Sequence, residues 1–184
     1  SPDLSTSNRA TLGGMINTDA SGQGSLVYGK TSDHVLGLKS VLSNGDVLAT
    51  NDIAITEAQD LATAESMEGQ LYKAVLSSCQ DNRELILEKF PRLNRFLTGY
   101  DLEHVFNEDL SRFNMSRLIT GSEGSLAFVC EAKLNLTKIP KARTLVNIKY
   151  DSFDSALRHS PFLVDAKATS VETIDNKVLN LAKQ

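Results

Sequence analysis

The chain has 184 residues, 41% apolar and 23% charged, the balance of an ordinary globular domain; that excludes a disordered tail, a collagen-like repeat and a disulfide scaffold. Lys plus Arg total 19 against 23 Asp plus Glu, a formal charge of −4 with no basic block to offset it, so neither nucleic acid nor an anionic membrane is an expected partner. No run approaches the roughly 20 apolar residues that span a bilayer, so no transmembrane segment is expected.

The chain opens at Ser1-Pro2-Asp3 without an initiator Met or a charged-then-apolar leader, so no export signal is read. Residues 1–31 are dominated by small and polar types, with Gly13, Gly14, Gly22, Gly24 and Gly29 among Ser, Thr and Asn. Such a stretch lets backbone approach something closely. A hairpin follows: Val35 to Leu42 reads as a strand, Asn44-Gly45 as a tight turn, and Val47-Leu48-Ala49 as the returning strand. Over 56–90 the period turns helical, with Leu61, Ala64, Leu71, Ala74 and Val75 on one stripe and a second helix from Asn82 to Phe90, stopped by Pro91. The acidic residues at 57–68 read as its solvated face.

Leu126, Phe128, Cys130, Ala132, Leu134 and Leu136 then occupy every second position, which predicts a strand with that face buried. Pro140 breaks it, and Val146, Ile148 and Tyr150 predict a further strand. A short helix from about Ser152 to His159, capped by Asp151 or Ser152, leads to Pro161. The remainder reads strand, turn, helix, with Val171, Ile174, Val178 and Leu181 on one helical face and nothing after it to cover that face. The chain is therefore expected to be an internal piece of a longer polypeptide. Strands and helices mix without regular βαβ alternation, so the fold class is α+β.

Chemistry is expected in the first Gly-rich stretch, Thr11 to Ser25, whose hydroxyls and amides present many donors to a polyanionic ligand. Composition leaves two readings open there, a phosphate or ribityl cradle and a tight solvated turn. It is not a dinucleotide fingerprint, because Gly22-Gln23-Gly24 is followed by Ser25-Leu26-Val27 and no helix pattern. Gly121-Ser122-Glu123-Gly124-Ser125 reads as a constrained turn whose Glu could cap amides or face a ligand. His34, His104 and His159 lie far apart, none with a Cys or carboxylate at ligand spacing, and no metal site is expected. Cys79 and Cys130 read as buried, unbridged thiols of a reducing compartment, hence a cytoplasmic location.

Four ordered motifs carry a family resemblance. Gly13-Gly14-Met15-Ile16-Asn17-Thr18-Asp19-Ala20-Ser21-Gly22, then Tyr28-Gly29-Lys30-Thr31-Ser32-Asp33-His34-Val35-Leu36-Gly37-Leu38, resemble the flavin-binding segment of the FAD-linked oxidases, whose fold is named after p-cresol methylhydroxylase and vanillyl-alcohol oxidase. Thr98-Gly99-Tyr100-Asp101-Leu102 and Gly121 to Leu126 resemble two further motifs in the same order. Ser5 to Thr11 and Asn94-Arg95-Phe96-Leu97 are similar to one bacterial branch, the large flavin and iron–sulfur D-2-hydroxyglutarate dehydrogenases of the YdiJ type.

The resemblance implies a division of the chain. Residues 1–139 would be the second FAD-binding subdomain, an antiparallel sheet flanked by helices, and residues 143–184 the start of a ferredoxin-like substrate-binding cap. The implied cofactor is FAD, and the implied reaction is hydride removal from a D-2-hydroxy acid, with electrons passed on to an acceptor. A 4Fe-4S cluster is implied for the whole protein but not for this segment, and a first FAD subdomain is implied as the main partner. Alone, the segment is not expected to be an active enzyme. Thr11, Gly14 and Ile16 would line the flavin, Asp19, Ala20, Ser21, Gly22 and Gln23 would give backbone and short polar contacts, and the backbone of Val129 would meet the cofactor. No residue is assigned as the catalytic base. Asp19 stands where an Asn is common in the family, and a carboxylate would repel pyrophosphate, so Asp19 is expected to accept from a hydroxyl or an N–H instead. Leu97 replaces a usual polar residue. A D-lactate or glycolate oxidase-type enzyme, or a flavin-free module of the same fold, are the alternatives.

Overall fold

In the computed structural model, which describes residues 6–91, 93 and 99–183, the fold grows from the hairpin. β1 (Val35–Val41) and β2 (Val47–Ala54) pair antiparallel, with Val41 opposite Val47. Gly45 takes φ 90°, a left-handed conformation that only a residue without Cβ adopts freely, and Asn44 Oδ1 accepts from the Asp46 N–H at 3.0 Å. β3 (Arg112–Asn114) joins the outer side of β2, and β4 (Phe128–Leu134) the outer side of β1. The result is a four-stranded antiparallel sheet in the order β3-β2-β1-β4, flanked by helices, as the α+β reading expects.

Residues paired across strands share a face, and the register sorts this sheet. Leu38 with Thr50 and Ser40 with Leu48 point to the core and are buried, whereas Lys39 with Ala49 and Val41 with Val47 lie on the outer face. In β4 the expected single buried face does not exist. Lys39 pairs with Glu131 but Ser40 with Val129, so Cys130 is an extra residue bulged out of the ladder. A one-residue slip flips every side chain to the other face. Ala127 and Val129 face the core before the bulge and Leu134 after it, while Phe128 is 72% exposed. Cys130 is therefore exposed, contrary to the expectation of a buried thiol; Cys79 is buried, and both thiols are free.

The region 55–90 forms three helices rather than two: α1 and α2 precede the hairpin (Leu12–Asn17 and Ser25–Tyr28), and α3 (Ile55–Leu61), α4 (Met67–Asp81) and α5 (Arg83–Lys89) follow it. The buried stripe of α4 is Tyr72, Leu76 and Cys79, with Ala74 exposed and Leu71 and Val75 only flanking. This rotation brings the Tyr72 ring to 5.7 Å from Phe113, which also meets Phe106 edge-on at 5.4 Å. That aromatic trio forms the centre of the core, with α6 (Ser116–Ile119) packed against β1 and β2.

Beyond β4 the structure departs from expectation. Residues 141–150 form no strand, and Val146 is 71% exposed, because alternation needs a partner strand to make a ladder and none of the described residues pairs there. α7 (Phe153–Asp165), capped by the Ser152 hydroxyl, runs straight through Pro161 instead of stopping before it. None of its residues is buried, so solvent reaches the carbonyl that Pro161 cannot bond. α8 (Asn176–Leu181) begins at its Asp175 cap, which leaves Val171 and Ile174 outside the helix, and 166–175 contains no strand.

Candidate functional site

The Gly-rich stretch is a short helix and a turn rather than an open loop. Thr11 caps α1, its Oγ1 accepting from the Gly14 N–H at 3.1 Å, and Met15 and Ile16 anchor the helix in the core. Ile16 is 1% exposed, so its side chain supports the site from beneath and lines no surface. Thr11 and Gly14 lie on the exposed side. Residues 25–28 also turn helical as α2, where no helix pattern was read.

After α1 the backbone is stitched to the 3-10 turn Thr31–Asp33. Ala20 donates to the Met15 carbonyl, and its own carbonyl accepts from both the N–H and the hydroxyl of Thr31, at 3.0 and 2.6 Å. Ala20 thus has no free backbone group. By contrast, the N–H groups of Ser21, Gly22 and Gln23 find no acceptor among the described residues, and the Gln23 amide reaches Glu172 at 2.5 Å. Backbone N–H groups left without an acceptor can take an anionic or hydroxylated oxygen.

Asp19 turns inward. It is 7% exposed with φ 45°; Oδ1 accepts from the Ser32 N–H at 2.7 Å and Oδ2 from the Ser32 hydroxyl at 3.1 Å, and Lys30 Nζ lies 2.6 Å from Oδ2. Hydroxyl and N–H donors were expected for Asp19; the ammonium was not. The signal was available, since Lys30 is the one Lys or Arg between Arg9 and Lys39. A carboxylate among small residues needs a cation when buried.

The second Gly-rich turn locks onto the first. Gly121, at φ 84°, donates to the Ile16 carbonyl at 2.9 Å, and Glu123 N–H donates to the Asn17 carbonyl at 2.8 Å. Glu123 itself is exposed, and its carboxylate caps no amide among the described residues. Around this seam Asn17 Oδ1, Ser21 Oγ, Thr120 Oγ1 and Ser122 Oγ are buried without a hydrogen-bond partner among the described residues. Asn17 and Ser122 lie in the two Gly-rich stretches where chemistry is expected but are not among the expected cofactor contacts, Ser21 is, and Thr120 lies outside both stretches. α1 also packs against β4, the strand of Val129, whose side chain is part-buried on the core. So Thr11, Gly14 and Gln23 are exposed and Ser21 and Gly22 half-buried along this rim, while Ile16 and Asp19 are buried and Ala20 is half-buried beneath it. Ser5, residues 94–97 with Leu97, and Thr98 lie outside the described residues.

A cleft of about 470 Å³ is lined by Lys30, Asp33, Asp101, His104 and Arg117, among others. Contrary to expectation, one histidine does pair with a carboxylate: His104 Nδ1 lies 2.8 Å from Asp101 Oδ1. The hydrogen bond to Asp101 raises the His104 pKa above its ordinary value. Burial pushes Asp101 upward, but His104 and the charge of Lys30 outweigh it and hold the carboxyl below its ordinary value. A raised histidine stabilises the fold below its unfolded pKa of 6.5 and loses that contribution as pH climbs through the folded value. A lowered carboxyl contributes above 3.8 and fails as pH falls through its folded value. Stability from this pair is therefore expected to peak between those two values. With the His104 side chain 53% exposed, water limits it to about 1 kcal/mol or less. Urea unfolding from pH 3 to 9 checks this: Asp101→Asn should flatten both shoulders relative to the parent protein.

Residues 1–51 match the FAD binding domain family. Over its full length the chain is 64% identical to the D-2-hydroxyglutarate dehydrogenase of Pantoea ananatis and spans 18% of that protein. It is 61% identical to the D-2-hydroxyglutarate dehydrogenase of Escherichia coli over 183 residues, again 18% of the relative. Over 180 residues it is 28% identical to the glycolate oxidase subunit GlcD of Bacillus subtilis, covering 97% of the chain and 27% of the relative. The two interlocked Gly-rich turns and the open N–H groups thus lie in a chain that is similar to the FAD binding domain family over residues 1–51 and, along its whole length, to about 18% of D-2-hydroxyglutarate dehydrogenases.

Proposed function

We propose that this chain is the flavin-orienting portion of an FAD-dependent dehydrogenase acting on D-2-hydroxyglutarate. The observation that carries the reading is the run of N–H groups at Ser21, Gly22 and Gln23, and the Ser21 hydroxyl, that find no partner among the described residues. FAD fits such a donor set, because its ribityl hydroxyls and pyrophosphate oxygens accept hydrogen bonds. When bound, FAD supplies the redox chemistry, taking up the hydride as the 2-hydroxy acid becomes the 2-oxo acid.

The chain's own residues bind and orient. Ser21, Gly22 and Gln23 donate from the backbone, and Thr11 and Gly14 give a flat surface on α1. Val129 presents strand backbone beside α1, with Ile16 and Ala20 beneath as support. Asp19 keeps its charge away from phosphate by facing Ser32 and Lys30. Residues 1–139 on this reading are the second FAD subdomain and residues 143–184 open the substrate cap, tied back by the Gln23–Glu172 hydrogen bond. An upstream FAD subdomain and an electron acceptor complete the proposed enzyme. Free thiols at Cys79 and Cys130 support a reducing, cytoplasmic setting.

Gly13 gives the decisive test. A Cβ built there meets nothing within 4 Å, whereas one at Gly14 meets its own capping hydroxyl, Thr11 Oγ1, at 3.0 Å. Gly13→Leu should fold as well as the parent, since Leu favours helix over Gly by roughly 1 kcal/mol. In the full-length flavoprotein it should nonetheless weaken FAD binding by about tenfold or more, by filling space the flavin needs. Flavin absorbance per chain after gel filtration measures it. Unchanged occupancy in a folded variant would overturn the reading.

A further inference from the structure

We propose that Lys30 is a positioning residue for the flavin-facing rim: its buried ammonium holds Asp19 inward, and through Asp19 it fixes the turn that aims the N–H groups of Ser21, Gly22 and Gln23. The inference rests on the reading that residues 11–23 bind flavin, and it adds a residue, a partner and a sign of charge to it.

Lys30 and Asp19 are both buried, with side chains 8% and 9% exposed and their charged atoms 2.6 Å apart. Asp19 cannot release its carboxylate to solvent without unmaking two further hydrogen bonds, from the N–H and hydroxyl of Ser32. Those bonds hold a non-glycine residue at φ 45°, a conformation that L residues adopt only when the surroundings enforce it. The next residue, Ala20, has both backbone groups committed to Met15 and Thr31. The chain therefore leaves Ala20 in one direction, and the three N–H groups that follow are aimed by that geometry. Gly121 closes the other side: a Cβ there would stand 3.2 Å from Asp19 Cβ, so the second Gly-rich turn is fitted to an inward-facing Asp19.

Charge gives the second reason. An Asp19 without a counterion would place a negative field next to a rim whose N–H groups are arranged for anionic oxygen. Lys30 cancels that field at its source. It also faces Asp101 across the cleft, and its charge lowers the pKa of that carboxyl, so one ammonium serves acidic groups of two different loops. Lys30 begins the 3-10 turn as well: its backbone N–H donates to Asp33 Oδ2 at 2.9 Å, which ties its position to the Asp33–Arg117 pair at 3.0 Å. A buried pair is strongly destabilised when one partner alone is removed, and far less so when both are replaced by neutral groups of similar shape. That asymmetry makes the role testable.

Lys30→Met, Asp19→Asn and the double variant should be compared in the full-length flavoprotein, by FAD titration and by visible circular dichroism of bound flavin. Asn can keep both contacts to Ser32, and Met keeps the length of Lys. Lys30→Met should weaken FAD binding by about tenfold or more and alter the flavin dichroism, because Asp19 then loses the partner that holds it inward. Asp19→Asn, which leaves Lys30 beside Asp101, should lose less. The double variant should return to within roughly threefold of the parent affinity, with the parent dichroism. If Lys30→Met does not fold, the double variant decides, because it removes both members of the pair. A folded Lys30→Met with parent affinity and dichroism, or a folded double variant that binds FAD no better than about a tenth as well as the parent, would overturn the proposal. Gly13→Leu separates the two failures. If it weakens FAD binding while Lys30→Met does not, only the role of Lys30 falls. If neither variant affects FAD, the rim itself is not the flavin site and both readings fall.

Discussion

Phe113→Ala is expected to lower the free energy of unfolding by about 4 kcal/mol. Phe113 is 0% exposed, and it lies on β3, a strand of only three residues that closes the β2 edge. Its ring links two segments distant in sequence, meeting Tyr72 of α4 at 5.7 Å and Phe106 at 5.4 Å. Deleting it removes the ring's transfer energy and leaves a cavity among rigid neighbours. Those neighbours cannot collapse into the space, because Ile53 is held opposite Phe113 by the β2–β3 ladder. Urea unfolding should show the midpoint falling with an unchanged slope. A loss under about 1.5 kcal/mol would mean that the site relaxes, and that the trio is not the centre of the core.

The parts of this fold that could be read from sequence are those where a local signal and the tertiary outcome agree. Asn44-Gly45 sits between two β-rich runs, and the hairpin formed where it was read, because left-handed turn geometry is decided within four residues. β4 was read in the right place but with the wrong face inward. Its apolar alternation continues past Cys130, and only the register against β1 reveals that Cys130 drops out of the ladder. Helix α4 was read with its stripe turned, since Leu71 and Val75 are as apolar as Leu76 and only the aromatic contact to Phe113 selects the Tyr72 side. The strand expected at 146–150 failed for the opposite reason. Its pattern is strand-like, but a strand is a pairing, and no described residue offers one.

The site divides along the same line. The Gly-rich rim could be recognised because small residues concentrate in it, and because its motifs resemble a family. Its supports could not. Lys30 and Ser32 follow Asp19 by more than ten residues, and what unites them is burial, which the sequence does not display. The Thr120 and Ser122 hydroxyls, without a partner among the described residues, flank Gly121, whose N–H reaches the Ile16 carbonyl from far along the chain.

Gly69→Ala is expected to cost about 3 kcal/mol or more, although Ala is the better helix former. Gly69 sits in the first turn of α4, its N–H donating to the capping Ser66 hydroxyl at 3.2 Å. A Cβ there would stand 2.2 Å from the Ala64 carbonyl oxygen, 2.8 Å from its carbon and 2.9 Å from its Cβ. These are backbone and near-backbone atoms of the turn between α3 and α4, so no side-chain rotation relieves the overlap. Either α4 moves away from α3, or the Ser66 cap breaks. In both cases Tyr72, one turn along the same helix, is pulled from Phe113. Helix propensity alone would make Gly69→Ala more stable by about 1 kcal/mol, so the sign of the measured change decides between local and tertiary control. Thermal unfolding followed by circular dichroism gives that sign, and a raised midpoint would mean that α3 and α4 do not approach as closely as these distances require.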